Sequence, residues 1–407
     1  METRRLDELC VQVTDCPHST PQWLSSGKLV LRNFNVHNGR IDLSNASYTD
    51  DETFFTRNKR ATPIPGDIVI SREAPMGEVA IIPDNLECCL GQRMVLLRPD
   101  TSVCNGKFLM YSLLSPFVQK QIKRSDTTGS VVSNLCIPDL CALEIPYVNI
   151  EGQEHIVALL SDIDAKIDNN NAICADLEGM AKLLYDYWFV QFDFPDENGK
   201  PYKSSGGKMV WNEELKREIP EGWEVVSLGT QFSITMGTSP EGKSINENEE
   251  GVPFYQGKTD FGFRFPAVRT YTTTPIRYAY RGDTLLSVRA PVGALNRAIE
   301  TCCIGRGVAS IHADEFPSYA YYTSLSLRPR FEKYNGDGTT FGCIGRDDLF
   351  AIPAVKPERS LIEKFEKITR QIDAKIENAE MENTELASLR DFLLPMLMNG
   401  QVKVKGA

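Results

Sequence analysis

An internal repeat constrains the fold of this chain more than any other feature of its sequence. Four segments of the first half return in the second half, in the same order and at offsets of 207 to 216 residues. The paired segments are 66–77 with 282–293, 88–91 with 302–305, 145–146 with 352–353, and 163–169 with 372–378. The first pair shares six of twelve residues, and the last shares six of seven. Four collinear matches predict a tandem duplication of one structural unit.

Each copy begins with a stretch that is typical of a mixed α+β globule. These stretches, residues 1–148 and 224–355, are rich in β-branched and aromatic residues, with frequent glycine and proline. The predicted elements include strands at 67–71 and 94–97 and helices at 108–123 and 318–334. The repeated Gly-Asp and Ala-Pro-x-Gly positions flank these strands, where we expect them to form turns.

Each copy ends in a segment with the periodicity of a long helix. Apolar residues recur there at alternating steps of four and three, which is the heptad period of a coiled coil, with Asn170 as a polar member. The predicted seam residues are Ile156, Leu160, Ile163, Ile167, Leu177 and Leu184 in the first copy, and Ile372, Ile376, Leu386 and Leu393 in the second. A helix of about 35 residues is roughly 50 Å long. We therefore expect the two helices to pair as an antiparallel coiled coil; the alternative is that each packs on its own globule.

Breaks in these patterns set the remaining boundaries. Pro395 and Gly400 predict the end of the second helix. A segment rich in glycine, proline, serine and charged residues separates the two copies and predicts a linker that folds over the surface. The predicted divisions are a first globule (1–148), a central helix (149–192), a linker (193–223), a second globule (224–355) and a C-terminal helix (356–400).

The sequence contains one match to a catalytic or nucleotide-binding motif, and its surroundings argue against it. Residues 237–244 fit the phosphate-binding pattern G-x-x-x-x-G-K-[ST], but Pro240 removes a backbone donor and acidic residues follow Lys243. A nucleotide hydrolase that uses Lys243 therefore remains only as an alternative function. We predict no catalytic residues and no metal site, because histidine and cysteine spacings match no ligand pattern, and we expect the eleven cysteines to be reduced thiols.

The distribution of charge is compatible with a nucleic-acid partner despite a net charge of −11. Residues 151–200 contribute −8 of this, whereas residues 1–150 contribute only −2. Basic residues interleave with aromatic residues between positions 255 and 297, and both globules contain basic clusters and hydroxyl-rich loops, a pattern that suits phosphates and base edges. The predicted DNA contacts are Arg57, Lys59, Arg60, Lys120, Lys123, Arg124, Thr127, Thr128 and Ser130 in the first copy, and Lys258, Arg264, Arg269, Arg277, Arg330, Lys333, Thr339 and Thr340 in the second.

These features together resemble the DNA-specificity subunits of type I restriction–modification systems, over essentially the whole chain. The resemblance depends on the doubled Gly-Asp…Ala-Pro-x-Gly units, the doubled I-D-A-K-I-[DE]-N helices, and the linker motifs Trp188-Phe189-Val190, Gly199-Lys200-Pro201-Tyr202-Lys203 and Ile219-Pro220-Glu221-Gly222-Trp223. It implies two target-recognition domains that read the two halves of an asymmetric site in double-stranded DNA. A recognition subunit of a restriction–methylation enzyme outside type I is the nearest alternative.

The resemblance also implies partners and cofactors. It implies two methyltransferase subunits docked on the helix pair and two restriction (translocase) subunits added for cleavage. This chain itself would be non-catalytic and bind no cofactor, with S-adenosylmethionine used by the methyltransferase and ATP with Mg²⁺ by the endonuclease. The first ten residues lack the apolar core of a signal peptide, and no apolar run is long enough to span a membrane, so we expect a cytoplasmic protein with no membrane contact.

Overall fold

Two units and two long helices organise the chain. The computed structural model describes residues 2–124, 134–336 and 342–402. Unit 1 comprises residues 1–168 and 383–407, and unit 2 comprises residues 169–382. Each unit therefore contains one globule and a segment of each long helix. Among the helices described, none is long and apolar enough to cross a membrane.

The globule of unit 1 is built on two small sheets. Its elements are β1 (Glu2–Arg5), β2 (Cys10–Asp15), β3 (Lys28–Leu31), β4 (Val36–His37), β5 (Arg40–Ile41), β6 (Ser47–Thr49), α1 (Asp51–Arg57), β7 (Ile68–Ser71), β8 (Val79–Ile81), β9 (Cys88–Leu90), β10 (Met94–Pro99), α2 (Gly106–Leu114), α3 (Pro116–Arg124), α4 (Ile137–Cys141) and β11 (Glu144–Tyr147). One sheet has the antiparallel order β2-β10-β7-β8, and the other has the order β6-β3-β9, in which β3 and β9 are parallel. Strand β1 pairs with β11 and so closes the globule beside the following helix, α5 (Ile150–Tyr185).

The globule of unit 2 repeats the main strand pairings of unit 1, although its second sheet has five strands rather than three. After a turn of π-helix at Asp186–Val190, its elements are β12 (Met209–Asn212), β13 (Arg217–Pro220), β14 (Glu224–Ser227), α6 (Leu228–Gln231), β15 (Ser233–Met236), β16 (Ile245–Asn246), β17 (Val252–Tyr255), β18 (Tyr271–Thr272), β19 (Tyr278–Ala279), β20 (Thr284–Ser287), β21 (Leu295–Arg297), β22 (Cys302–Ile304), β23 (Val308–His312), α7 (Pro317–Phe331), α8 (Arg346–Ala351), β24 (Pro353–Lys356) and α9 (Arg359–Met398). The order β15-β23-β20-β21 corresponds to β2-β10-β7-β8, the parallel pair β17–β22 to β3–β9, and β14–β24 to β1–β11.

The repeated Gly-Asp pairs do more than form the turns that the sequence predicts. Gly66 and Gly282 have φ values of +88° and +91°, which only glycine adopts readily, so the turn prediction is confirmed. The aspartates that follow them are buried ion-pair partners. Asp67 accepts two hydrogen bonds from Arg98, at 2.8 and 2.7 Å, and Asp283 accepts one from His312 Nδ1 at 2.5 Å. Each cation lies on the neighbouring strand of the sheet. The motif therefore links the turn to the four-stranded sheet of the same globule.

The ion pair at His312 predicts a pH dependence of stability. The hydrogen bond to Asp283, supported by Asp314, raises the pKa of the imidazole above its usual value. Stabilisation by this raised pKa is fully present below about pH 6.5, the pKa of an unfolded imidazole, and is lost as the pH rises through the higher folded-state pKa. We expect His312→Gln to cost about 1 kcal/mol at pH 6, or roughly 2–4 °C in melting temperature, and clearly less at pH 9.

Thermal unfolding of the wild type and of His312→Gln at pH 6 and pH 9 measures this difference in the cost of the substitution. The variant His155→Gln, which removes an imidazole from α5, controls for titration elsewhere in the chain. A cost of His312→Gln that is the same at pH 6 and pH 9 would show that the charge on the ring does not contribute.

The predicted seam residues lie on the two long helices and fall into two groups that differ in burial. Ile156, Leu160, Ile163, Ile167 and Ile376 are buried, and Leu177, Leu184, Ile372, Leu386 and Leu393 are half-buried. In unit 1, Leu160 of α5 and Leu394 of α9 belong to one apolar core together with α2. In unit 2, Ala181 of α5 and Phe365 of α9 belong to one core with α7. Within each unit, both helices therefore contribute to the core of the globule.

Three sequence-based boundaries differ from the structure for local reasons. The predicted helix at 108–123 is two helices, because Pro116 cannot continue the hydrogen bonding of α2 and instead begins α3. Pro395 lies inside α9, which ends at Met398, and Gly400 follows with a φ of +68°. The predicted linker contains the hairpin β12–β13, and its aromatic residues Phe194 and Trp223 stack with ring centroids 5.0 Å apart.

Candidate nucleic-acid interface

A cationic groove of about 770 Å³ opens at one edge of the unit 2 globule. Its cations are Lys258, Arg269, Arg289 and Arg306, all exposed, and its acids are Glu247 and Asp260. The lining therefore carries four positive and two negative charges, a balance of +2. Gln256, Thr259 and Thr270 add neutral hydrogen-bonding groups to the same wall.

The strand topology explains why these four cations meet. Strands β17 and β22 are parallel, so the residues that follow them, including Lys258 and Arg306, lie at the same edge. Strand β18 is antiparallel to β17, which brings Arg269, just before β18, to that edge as well. Arg289 follows β20, and Val288 N donates to Gly307 O at 2.9 Å, so the repeated Ala-Pro turn closes the groove.

The corresponding edge of unit 1 has a different chemistry. Arg32 follows β3, and its guanidinium lies 4.6 Å from the ring centroid of Trp23 and 4.5 Å from that of Phe34. Both aromatic side chains are exposed. At the turn where unit 2 has Arg289, unit 1 has Glu73, whose carboxylate lies 3.2 Å from Arg93. An arginine between exposed aromatic rings suits stacking and base-edge contacts, whereas the unit 2 groove suits phosphates.

The predicted DNA contacts include two of the four groove cations, and they omit Arg289 and Arg306, together with Arg32 in unit 1. Lys258 and Arg269 line the groove as described, whereas Arg277 and Lys333 are exposed but are not among its lining residues. Arg330 is half-buried and donates to Pro353 O at 3.0 Å. An alignment of the two copies could have found Arg289 and Arg306. Each is a cation at a position where the first copy has no positive charge, since Glu73 and Gln92 are the aligned residues.

In unit 1 the exposed cations among the predicted contacts fall into two groups. Lys59 and Arg60 follow α1, and Lys120, Lys123 and Arg124 lie on α3. The hydroxyl residues Thr127, Thr128, Ser130, Thr339 and Thr340, which the sequence nominated as DNA contacts, lie outside the described residues.

The structure does not support two of the predicted DNA contacts, Arg57 and Arg264, because their guanidinium groups are buried. Arg57 is 4% exposed and donates to the backbone oxygens of Leu90, Ser19 and Pro17 at 2.7 to 3.0 Å; burial lowers its pKa. Arg264 is 1% exposed and lies 3.1 Å from Asp373 of α9. Although burial opposes its charge, the tyrosines and carboxylates around Arg264 raise its pKa, so it remains a cation.

The match to a phosphate-binding loop does not have the geometry of one. Residues Gly242–Ser244 form a single 3-10 turn rather than the start of an α-helix. The N–H groups of Gly237 and Thr238 donate to Val308 O and Ile304 O, both at 3.0 Å, so they are not free to bind phosphate. The ammonium of Lys243 lies 2.7 Å from Glu241. These contacts give no support to nucleotide hydrolysis at Lys243.

The described part of the chain gives no other indication of site chemistry. All eleven cysteines are free thiols, as the sequence predicts, and burial raises the pKa of Cys88 and Cys302 to about 12. Within residues 2–124, 134–336 and 342–402, no group of histidine, cysteine, aspartate and glutamate side chains could hold a metal ion.

Comparisons with known proteins agree on one family. The family model that describes the type I restriction modification DNA specificity domain matches residues 1–179. The MjaX specificity subunit of a type I restriction enzyme from Methanocaldococcus jannaschii is 33% identical, over 91% of this chain and 86% of that protein. The MjaIX specificity subunit from the same organism is 26% identical, over 84% and 78%. A solved type I S subunit from M. genitalium aligns over 100% of this chain and 96% of its own with a TM-score of 0.56; at 18% identity this likeness shows the fold alone.

Proposed function

This chain belongs to the type I restriction–modification DNA specificity subunits, and on that basis we propose that it reads a bipartite, asymmetric target in double-stranded DNA. Its two target-recognition domains are residues 1–148 and 224–355, and each reads one half-site. The observation that carries the proposal is a shared core strand order with two different contact edges: Arg32 beside two aromatic rings in unit 1, and a four-cation groove in unit 2. Equal scaffolds with unequal contact surfaces suit two different half-sites.

In this proposal the long helices pair as an antiparallel coiled coil and separate the two target-recognition domains. Contacts inside unit 2 support that pairing. Asn170 donates to Glu382 at 2.8 Å, Cys174 approaches the backbone oxygen of Ile376, and the rings of Tyr185 and Phe365 lie 5.7 Å apart. Residue numbers rise along α5 as they fall along α9, which is the pattern of antiparallel neighbours.

The partners of the proposed complex are two methyltransferase subunits and two restriction subunits. An apolar stripe supports a protein partner here; it is formed by Ile173, Met180 and Leu183 of α5 and by Tyr187 of the π-helical turn that continues it. Steps of seven, three and four residues place these side chains on one helix face, and Met180 and Leu183 are 60% and 69% exposed. In this proposal the chain is a non-catalytic, cytoplasmic subunit, while S-adenosylmethionine is used by the methyltransferase and ATP with Mg²⁺ by the endonuclease.

Mapping of methylated bases tests the function directly. The chain is co-expressed with its methyltransferase in a host that lacks other DNA methylation, and single-molecule sequencing identifies the modified motif. We expect two defined half-sites separated by unspecified bases. Exchange of residues 1–148 for the first domain of another specificity subunit should change one half-site completely and leave the other unchanged.

The outcomes separate the rival functions. A continuous motif would favour a recognition subunit outside type I, and the absence of any motif would contradict DNA reading by this chain. A change in both half-sites after the exchange would contradict independent reading by two domains.

A further inference from the structure

The repeated helix motif at 163–169 and 372–378 is the most similar segment of the two copies, yet DNA reading does not require it. In unit 2 its aspartate, Asp373, is 7% exposed and accepts from two arginines of the globule. Arg264 Nη1 lies 3.1 Å from Asp373 Oδ1, and Arg297 Nη1 bonds Oδ2. Arg264 lies between β17 and β18, whereas Arg297 is on β21, so one carboxylate of α9 holds two separate parts of the globule.

A tyrosine of the globule completes this contact. The hydroxyl of Tyr322, on α7, accepts from Arg264 Nη2 at 3.0 Å and lies 3.5 Å from Asp373 Oδ1. The Arg264 guanidinium also lies 4.1 Å from the ring centroid of Tyr321 and 3.4 Å from Glu178 of α5. The next acid of the motif, Glu377, pairs with Arg281, which follows β19.

In unit 1 the aspartate at the same motif position also bonds to the globule, here through a tyrosine. Asp164 of α5 accepts from the hydroxyl of Tyr111, on α2, at 2.5 Å, and from Arg390 of α9 at 3.0 Å. Arg40, on β5, approaches Asp164 at 3.9 Å and pairs with Asp168, the next acid of the motif. The motif thus uses one aspartate and one further acid to join helix and globule in both units.

The equivalence of these two contacts is only partly a result of the duplication. Tyr111 and Tyr322 are offset by 211 residues and lie in corresponding helices, which agrees with the offsets of the repeat. Arg40 and Arg281 have no such correspondence, because 241 residues separate them. Two globules that differ in their surface therefore place an arginine against the same acid of the motif from different positions in the fold: Arg40 from β5 and Arg281 from the turn after β19.

Directional bonds of this kind do something that apolar packing cannot. A buried ion pair adds little net stability compared with well-packed apolar residues, but an arginine fork bound to a carboxylate fixes one orientation. We propose that Asp164 and Asp373 are positioning residues that hold each target-recognition domain in one orientation on its helix. This inference rests on the proposed function: with both domains fixed in this way, the protein accepts one number of base pairs between its half-sites.

The test measures spacer selectivity on the complete methyltransferase complex. Duplexes carry the mapped half-sites with the native spacer, or with one base pair added or removed, and competition binding gives the affinity ratio of native to altered spacer. We expect Asp373→Asn to lower this ratio about tenfold, a change of about 1.4 kcal/mol, while affinity for a duplex with the second half-site alone is retained. Tyr322→Phe, which keeps the ring and removes the hydroxyl, should lower the ratio by roughly two- to fivefold.

Matched variants and outcomes keep the inference separate from the proposed function. Glu385→Gln removes an exposed carboxylate of α9 and should leave the ratio unchanged. If Asp373→Asn does not fold, Tyr322→Phe decides the question alone. An unchanged ratio in the folded variants, or an equal loss of affinity for all three spacers, would overturn the positioning role. A wild-type complex that methylates no bipartite motif would instead contradict the proposed function.

Discussion

Replacement of all four groove cations by alanine is expected to lower the DNA affinity of the methyltransferase complex by about three orders of magnitude at 0.1 M salt. Lys258, Arg269, Arg289 and Arg306 are exposed and line one groove, so each can neutralise one phosphate. Each phosphate contact contributes about 0.9 to the slope of log affinity against log salt concentration, so four contacts contribute about 3.6. The variant should therefore bind with a slope that is shallower by about this amount, and filter-binding titrations from 0.05 to 0.2 M salt measure it.

The control for this prediction removes the same number of cations elsewhere on unit 2. Lys208, Lys216, Arg328 and Arg359 are exposed and pair with Glu221, Glu213, Glu332 and Glu315. Their combined replacement by alanine should leave the salt slope nearly unchanged, because surface cations that are paired with carboxylates contribute little to a phosphate contact. Equal slopes for the groove variant and the wild type would show that the groove does not contact the DNA backbone.

Replacement of Met180 and Leu183 by glutamate is expected to abolish assembly with the methyltransferase while the chain itself stays folded. Both side chains are more than half exposed, so the substitutions bury no charge in the free chain. In a complex that covers the α5 stripe, each would place a carboxylate in a desolvated apolar contact. Central contact residues contribute about 2 kcal/mol or more each, so the pair should weaken binding roughly 10³-fold.

Co-purification and sedimentation of the two proteins measure this effect, with circular dichroism as the check on folding. Lys364→Gln with Lys367→Gln makes the same change of −2 in charge on exposed positions of α9 and should leave assembly intact. If the α5 variant still binds the methyltransferase with wild-type affinity, the stripe is not the partner surface. DNA binding by the free chain should be equal in both variants, because neither touches the groove.

Local pattern predicted the elements of this protein well. Alternating and continuous apolar runs gave strands such as Ile68–Ser71 and Met94–Pro99, which the structure confirms within two residues. The heptad steps gave the seam residues, of which Ile163 and Ile376 are buried. These predictions succeed because periodicity and glycine conformation act over a few neighbouring residues, which a sequence displays directly.

The candidate site was predicted only in part, because it is assembled from distant segments. The number of basic residues in the segment predicted Arg264 and Lys258 equally as DNA contacts. In the structure Arg264 is bound to Asp373, 109 residues away, whereas Lys258 is exposed to solvent. Likewise Arg289 and Arg306 became part of a groove only when β20 and β22 ended at one edge of the fold. The sequence alone determined the strands, the long helices and the supply of cations. The tertiary structure alone decided which cations are exposed, because burial and ion pairing depend on which segments meet in space.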